Sequence, residues 1–345
     1  MSLLALALSC GARSGLDVPR AASYSDDAGI AAERTCVPGG KDVACIDGGE
    51  GAIESPEVPG GTYYRTYTNS GSGPTGEADP ATVSTFRLDK HEVTVGRFRR
   101  FVSAWDGGAG YTPPAGSGKH AHLNGGKGLN GTQGGYEPGW VESDSSLIAP
   151  TDTHLHCETT FATWTPSVGP NENRPMNCVT WEEAYAFCIW DGGFLPSEAE
   201  WEYAAAGGSQ ERAYPWGSAP PGTSSEYAIY NCYYLSGAGS SSTMSGCTAG
   251  AANIAPVGTA SLGAGFWGQL DLAGSVEEWI LDRLAPYVNP CTDCADTTAS
   301  DSWVTRGGAF SYGLSSLPPP SRGGIDYSAP SIRDINVGFR CARAP

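Results

Sequence analysis

"RPMNCVTWEEAYAFCIWDGGFLPSEAEWEYAAAGG", Arg174–Gly208, is the stretch whose reading decides the fold. It holds two capping boxes: Thr180 stands three residues before Glu183, and Ser197 three before Glu200. In each, the hydroxyl takes a first-turn amide and the Glu reaches back to the cap's own N–H. The first predicted helix buries Trp181, Tyr185 and Cys188. The second buries Trp201 and stops at Gly207-Gly208, where glycine accepts a left-handed turn. Short helices joined by a DGG turn, in a chain with 48 Gly and 25 Pro, imply many loops and little regular structure.

Working outward, "FRLDKHEVTVGRFRRFVSAW" (Phe86–Trp105) starts as a strand, with Phe86 and Leu88 alternating with polar residues. Thr94 then caps a helix whose apolar face carries Val95, Phe98, Phe101, Val102 and Trp105. Residues 106–150 are Gly-rich with few apolar anchors and read as an insertion or long loop. Two His-x-His pairs, His120/His122 and His154/His156, would share a face on a strand, as metal ligands do. Without fixed second ligands they read as solvent-exposed.

The start of the chain differs in kind. "MSLLALALSC" is a short apolar run ending at Cys10, similar to a lipoprotein-type signal whose Cys is lipidated, although no Lys or Arg precedes the run. Residues 1–10 are therefore expected to be a signal remnant, 11–55 a disordered tether closed locally by Cys36–Cys45, and 56–345 one folded domain. This implies export, to a cell surface, outer membrane or periplasm, with membrane attachment only through the N-terminal lipid. Eleven cysteines fit an oxidising compartment, and ten remain once Cys10 is set aside. A net charge of −17 argues against nucleic acid as a partner, because phosphate backbones need clustered Lys and Arg.

Several segments then come in a fixed order: "VPGGTYYR" (58–65), Phe86–Phe101, Arg174–Gly208, "YPWG" (214–217), "APVG" (255–258), "FWGQLDLAGSVEEW" (266–279), "RGGAF" (306–310) and "NVGFRCAR" (336–343). Together they resemble the sulfatase-modifying factor family of formylglycine-generating enzymes over roughly residues 60–345. The resemblance implies a single α+β domain related to C-type lectins, stapled by disulfides. Active members oxidise a cysteine in a Cys-x-Pro-x-Arg context to formylglycine, using oxygen and copper(I) held by two cysteines after the RGG turn. Soft thiolates suit Cu(I). Counting back from "GFRC" places those positions on Tyr312 and Leu317, and no cysteine lies between 295 and 340. Copper is therefore not expected, and the positions are degenerate.

The resemblance also implies a disulfide between Cys188 and Cys341, and loss of a second one whose positions read Ala205 and Arg322. The remaining cysteines then pair by proximity as Cys157–Cys178, Cys232–Cys247 and Cys291–Cys294. The last, "CTDC", is a redox motif or a loop staple; no helix signal follows it, which favours the staple. A family calcium site maps onto the side chains of Asp271 and Glu278 and the carbonyls of Gly274 and Val276, with Ser275 for the usual Asn and Glu277 for the usual Trp. Arg306 and Arg340 read as structural, holding acidic or backbone partners. The leading expectation is an exported binding domain without the family chemistry, recognising a peptide, protein or glycan. The alternative is an oxidoreductase acting on a cysteine or other small thiol through a different metal site.

Overall fold

The computed structural model describes residues 54–236, 246–298, 300, 302–323 and 332–345, with the backbone of three strands between 35 and 53. Those strands are β1 (Thr35–Gly39), β2 (Asp42–Asp47) and β3 (Glu50–Ile53), and they form a small antiparallel sheet. This differs from the structureless tether expected over 11–55. Val37 and Val43 flank Pro38 to Asp42, so apolar residues bracket a Gly-Gly turn, which is a hairpin signal. The β1–β2 register sets Cys36 opposite Cys45. Whether they are bonded lies outside the described residues, as does Cys10.

The folded domain continues through β4 (Glu57–Val58), β5 (Gly61–Asn69), β6 (Pro74–Val83), β7 (Phe86–Leu88), α1 (Val95–Trp105), β8 (Asn130–Gly131), α2 (Asp152–Leu155), α3 (Trp181–Trp190) and α4 (Glu198–Ala206). It closes with β9 (Glu277–Arg283), β10 (Cys291–Thr292), β11 (Cys294–Ala295), β12 (Trp303–Arg306), β13 (Val337–Gly338) and β14 (Ala342–Arg343). The sheets are small: β12-β9-β13, β10-β6-β5, β14-β7-β4 and β11-β8. Most of the chain between them is loop, as the Gly/Pro content requires. Among the described residues, no helix is long and apolar enough to cross a membrane.

Both capping boxes are present. Thr180 Oγ1 accepts from Glu183 N and Ser197 Oγ from Glu200 N, each at 3.2 Å, and each Glu returns to its cap. Gly207 ends α4 in the left-handed region (φ 67). One core lies between α1 and α3, where Phe98 stacks on Phe187 at 5.7 Å and Phe187 meets Phe339 edge-on at 5.3 Å. A second core packs β4–β7 and β14 against α4. Helix α4 is buried along its whole length, including Glu198, Glu200 and Glu202. A fully buried helix with three carboxylates must find three cationic or donor partners.

The insertion at 106–150 is packed rather than loose. Leu123, Leu129, Trp140 and Ile148 all sit in the α1–α3 core. Their spacing has no helical or strand period, which hid them among glycines. Four disulfides are formed among the described residues: Cys157–Cys178, Cys188–Cys341, Cys232–Cys247 and Cys291–Cys294. Cys188–Cys341 joins α3 to the segment between β13 and β14 across 153 residues. The Cys-x-x-Cys ring places Cys291 beside β6 and Cys294 beside β8, so it ties the main hairpin to the insertion.

Candidate functional site

The loop after β12 is built on Arg306, which is fully buried. Its Nε and Nη2 donate to Glu198 Oε1 at 2.9 and 2.6 Å, and Nη2 also to Glu202 Oε2 at 2.7 Å. Its Nη1 donates to the Pro319 carbonyl at 2.9 Å. One guanidinium thus anchors the loop's far end to α4. Gly307 (φ 99) and Gly308 (φ 71) turn the chain where a side chain cannot follow: a Cβ on Gly308 would meet Ser316 Oγ at 2.5 Å.

Arg322 adds a second tie. Its Nε and Nη2 bind the two oxygens of Glu198 at 2.7 and 2.8 Å. The helix carrying Ala205 is therefore joined to the loop by an ion pair from Arg322, made at Glu198 at the start of α4 and not at Ala205 near its end. Burial would raise the Glu198 carboxyl, but Arg306 and Arg322 outweigh it and hold it below the ordinary range.

The two positions that replace the family's cysteine pair pack in different apolar clusters. Leu317 is 1% exposed and packs with Ala228, Tyr230 and Ala273. Tyr312 is half-buried, and its hydroxyl reaches Glu277. Glu277 itself is buried, and its Oε2 has no hydrogen-bond partner among the described residues. Burial, aided by the charge of Asp334, pushes its carboxyl up to about 8. This side chain stood out in the sequence only as a departure from a usual Trp; the signal missed was that a polar residue had replaced an aromatic one in a buried strand. The donor set offers no soft ligand. Each of the eight described cysteines is in a disulfide, so the residues present do not fit a copper(I) site.

The calcium positions lie together on the turn before β9 but are already engaged. Asp271 is in the left-handed region (φ 60), and its Oδ2 accepts from Gly258 N at 2.6 Å. Both oxygens of Glu278 accept from Arg340, at 2.7 to 2.9 Å, and one also from Trp201 Nε1 at 2.8 Å. Nearby Glu92 takes Ser275 Oγ and Val276 N at 3.1 Å. Among the described residues, no group of three or more His, Cys, Asp or Glu is placed to hold a metal ion. Asp271, Gly274, Val276 and Glu278 do not fit a calcium ion in this arrangement, because Glu278 would have to leave a bidentate guanidinium.

One of the two His pairs departs from the reading of both as exposed. His120 is fully buried. Its Nδ1 sits 3.0 Å from Glu137 Oε2 and its Nε2 3.0 Å from Glu200 Oε2. Burial works against its charged form, yet Glu200 and Glu137 outweigh that and raise it to about 10. A protonated imidazole has no lone pair for a metal, so His120 is a clamp between the insertion and α4. His122 is half-buried, and burial and the His120 charge lower its pKa. His154 and His156 are exposed.

The comparisons with known proteins follow this geometry. Residues 52–345 match the Sulfatase-modifying factor enzyme 1-like domain family. The formylglycine-generating enzyme of Thermomonospora curvata is 27% identical over 313 residues, covering 84% of this chain and 92% of that protein. The inactive C-alpha-formylglycine-generating enzyme 2 of Bos taurus is 41% identical over 63 residues, covering 16% of this chain and 21% of that protein. Among solved structures, PvdO from Pseudomonas aeruginosa is similar with a TM-score of 0.52 at 19% identity, covering 85% of this chain and 95% of that one, a likeness of fold alone.

Proposed function

Since the chain belongs to the sulfatase-modifying factor enzyme 1-like family, we propose that it is a member in which the scaffold is kept for binding while the cysteine-oxidising chemistry is gone. One observation carries this reading. The two positions that would supply copper thiolates are Tyr312, on a buried carboxyl, and Leu317, inside an apolar cluster. Neither can bind Cu(I) as a thiolate does. A relative named as inactive, similar over a short stretch, is consistent with loss of activity within such folds.

The proposed binding surface is the loop from Phe310 to Arg322, anchored at both ends by Arg306 and Arg322. Tyr312, exposed Leu314 and the half-buried Pro318 and Pro320 give it an apolar face, stiffened by the buried Pro319 between them. Its ligand is a peptide, protein or glycan. Four described disulfides suit an oxidising compartment, which supports export. Lipidation at Cys10 would then hold the domain at the membrane surface.

The experiment is a Cu(I) titration of the reduced-copper competitor type, on the wild type and on the double variant Tyr312→Cys/Leu317→Cys. The wild type should compete no better than a denatured control, and the double variant should gain about one tight site. A tight stoichiometric site in the wild type would sink the reading and revive an oxidoreductase with different ligands.

A further inference from the structure

Glu211 stands where the β5–β6 hairpin meets the end of α4. It follows the turn Gly208–Gln210 in the left-handed region (φ 45), and its Oε1 accepts from Tyr64 N of β5 at 3.0 Å. Its carbonyl accepts from Asn69 Nδ2 at 2.7 Å. The residue is 3% exposed, yet its Oε2 has no hydrogen-bond partner among the described residues. A buried carboxylate oxygen without a donor is costly. What faces this carboxyl is a second one, from exposed Glu77 on β6.

No side-chain cation balances the two. In the sequence, no Lys or Arg lies between Arg65 and Arg87. Arg65 is engaged by the Asp79 and Val288 carbonyls and by Asn289 Oδ1, at 2.9 to 3.2 Å. Arg212 turns to Gln210 Oε1 at 2.7 Å and the Pro215 carbonyl at 2.9 Å, with its guanidinium 4.8 Å over the Phe266 ring. Burial, opposed by the Tyr64 amide and helped by Glu77, raises the Glu211 carboxyl above its ordinary value. Two carboxyls so placed repel unless a proton or a cation lies between them. Their oxygens are hard donors, which suit Ca²⁺ or Mg²⁺ and not a thiophilic metal. Among the described residues no third His, Cys, Asp or Glu joins them. The exposure of Glu77 lets water supply the remaining ligands, as it does where Mg²⁺ or weakly held Ca²⁺ binds. The net charge of −17 raises the local concentration of such cations.

We propose that Glu77 and Glu211 bind a hard divalent cation, Ca²⁺ or Mg²⁺, which pins the β5–β6 hairpin to the end of α4. The site uses no residue of the turn that carries Asp271 and Glu278, and none of the loop after β12. It therefore stands whether or not the family chemistry is lost.

The full chain, freed of metal by a chelator, would be titrated calorimetrically with CaCl₂ and with MgCl₂ at neutral pH. At least one should show about one site per chain, with a Kd of roughly 10⁻⁴–10⁻³ M. Tighter binding of one salt assigns the cation, and either supports the site. Glu77→Gln, on an exposed strand face, should weaken binding about tenfold or more, while Asp271→Asn and exposed Glu142→Gln stay within about twofold. Glu211→Gln keeps an acceptor for Tyr64 N and should lose the site as well. Saturating cation should raise the unfolding midpoint of the wild type and not that of Glu77→Gln. No saturable site for either cation, or an unchanged Kd in folded Glu77→Gln, would overturn the proposal. So would an equal loss in Glu142→Gln, which would mean diffuse surface charge, or loss in Asp271→Asn, which would put the ion on the other turn.

Discussion

Helix α4 and the strand-and-loop region around Glu277 are neighbours that give their buried carboxylates different partners. On α4 each carboxylate faces a cation: Glu198 has Arg306 and Arg322, Glu200 has His120, and Glu202 has Arg306. Under Tyr312, Glu277 has an orphaned Oε2 and no ion pair among the described residues; the side chains beside it are the hydroxyls of Tyr312 and Thr305. Compensation on α4 is complete for Glu198 and Glu200 and partial for Glu202, whose Oε1 has no partner among the described residues and whose carboxyl is pushed by burial up to about 8. On the proposed reading, the ion-paired side is scaffold and the hydroxyl-held side is where the chemistry was released.

The largest expected effect breaks the α4 side of this contrast. Arg306→Met leaves Glu198 and Glu202 without their shared cation in the interior, and should cost about 3–5 kcal/mol in urea unfolding. A loss below about 1 kcal/mol would mean that water enters freely and the network is not structural. Next, Cys188→Ser removes the disulfide that closes 153 residues and should cost roughly 2–5 kcal/mol, with most of the protein lost on expression under oxidising conditions.

His120→Gln comes third, at about 2–3 kcal/mol at neutral pH, since it leaves Glu137 and Glu200 with no charge between them. The sign is definite. The folded His120 is raised to about 10, above its ordinary 6.5. Its contribution is complete below about pH 6.5 and is lost as pH climbs through about 10. The wild type should therefore lose stability on that climb more steeply than His120→Gln, read as unfolding midpoints from pH 6 to 10. Parallel curves would contradict the clamp.

The smallest effect sharpens the other side, and it is stabilising. Glu277 is raised to about 8 from 4.5, so between those values the unfolded chain gives up a proton that the folded one keeps. Stability falls across that window as pH rises. Glu277→Gln removes the fall and should gain about 1–2 kcal/mol at pH 8 and little at pH 5. A loss at pH 8 would show the carboxylate to be used, and the region would no longer count as released.

Much of the scaffold was legible because its signals are local. The capping boxes of α3 and α4 lie within four residues each, and the α1 face follows from its period. Arg306 and Arg340 read as structural from residue type, and both are fully buried on carboxylates. The rest depends on distant pairs. His120 finds Glu137 and Glu200 at separations of 17 and 80 residues, and Arg322 finds Glu198 at 124. No periodicity encodes such contacts. The wrong reading of His120 came from treating a Gly-rich segment as exposed, when Leu123, Leu129, Trp140 and Ile148 pull it into the core; His154 and His156 are exposed as read. The engagement of Glu278 by Arg340 was equally invisible, since a calcium motif and an ion-pair motif share the same carboxylate.

The most direct test of the account is the reaction itself. The full chain would be incubated with copper, oxygen, a reductant and a Cys-x-Pro-x-Arg peptide, beside an active family enzyme, and the peptide mass followed. The account expects the peptide thiol to remain while the control converts it to the aldehyde. Conversion by this chain above the copper-only background would contradict it, and would require a metal site other than Tyr312 and Leu317.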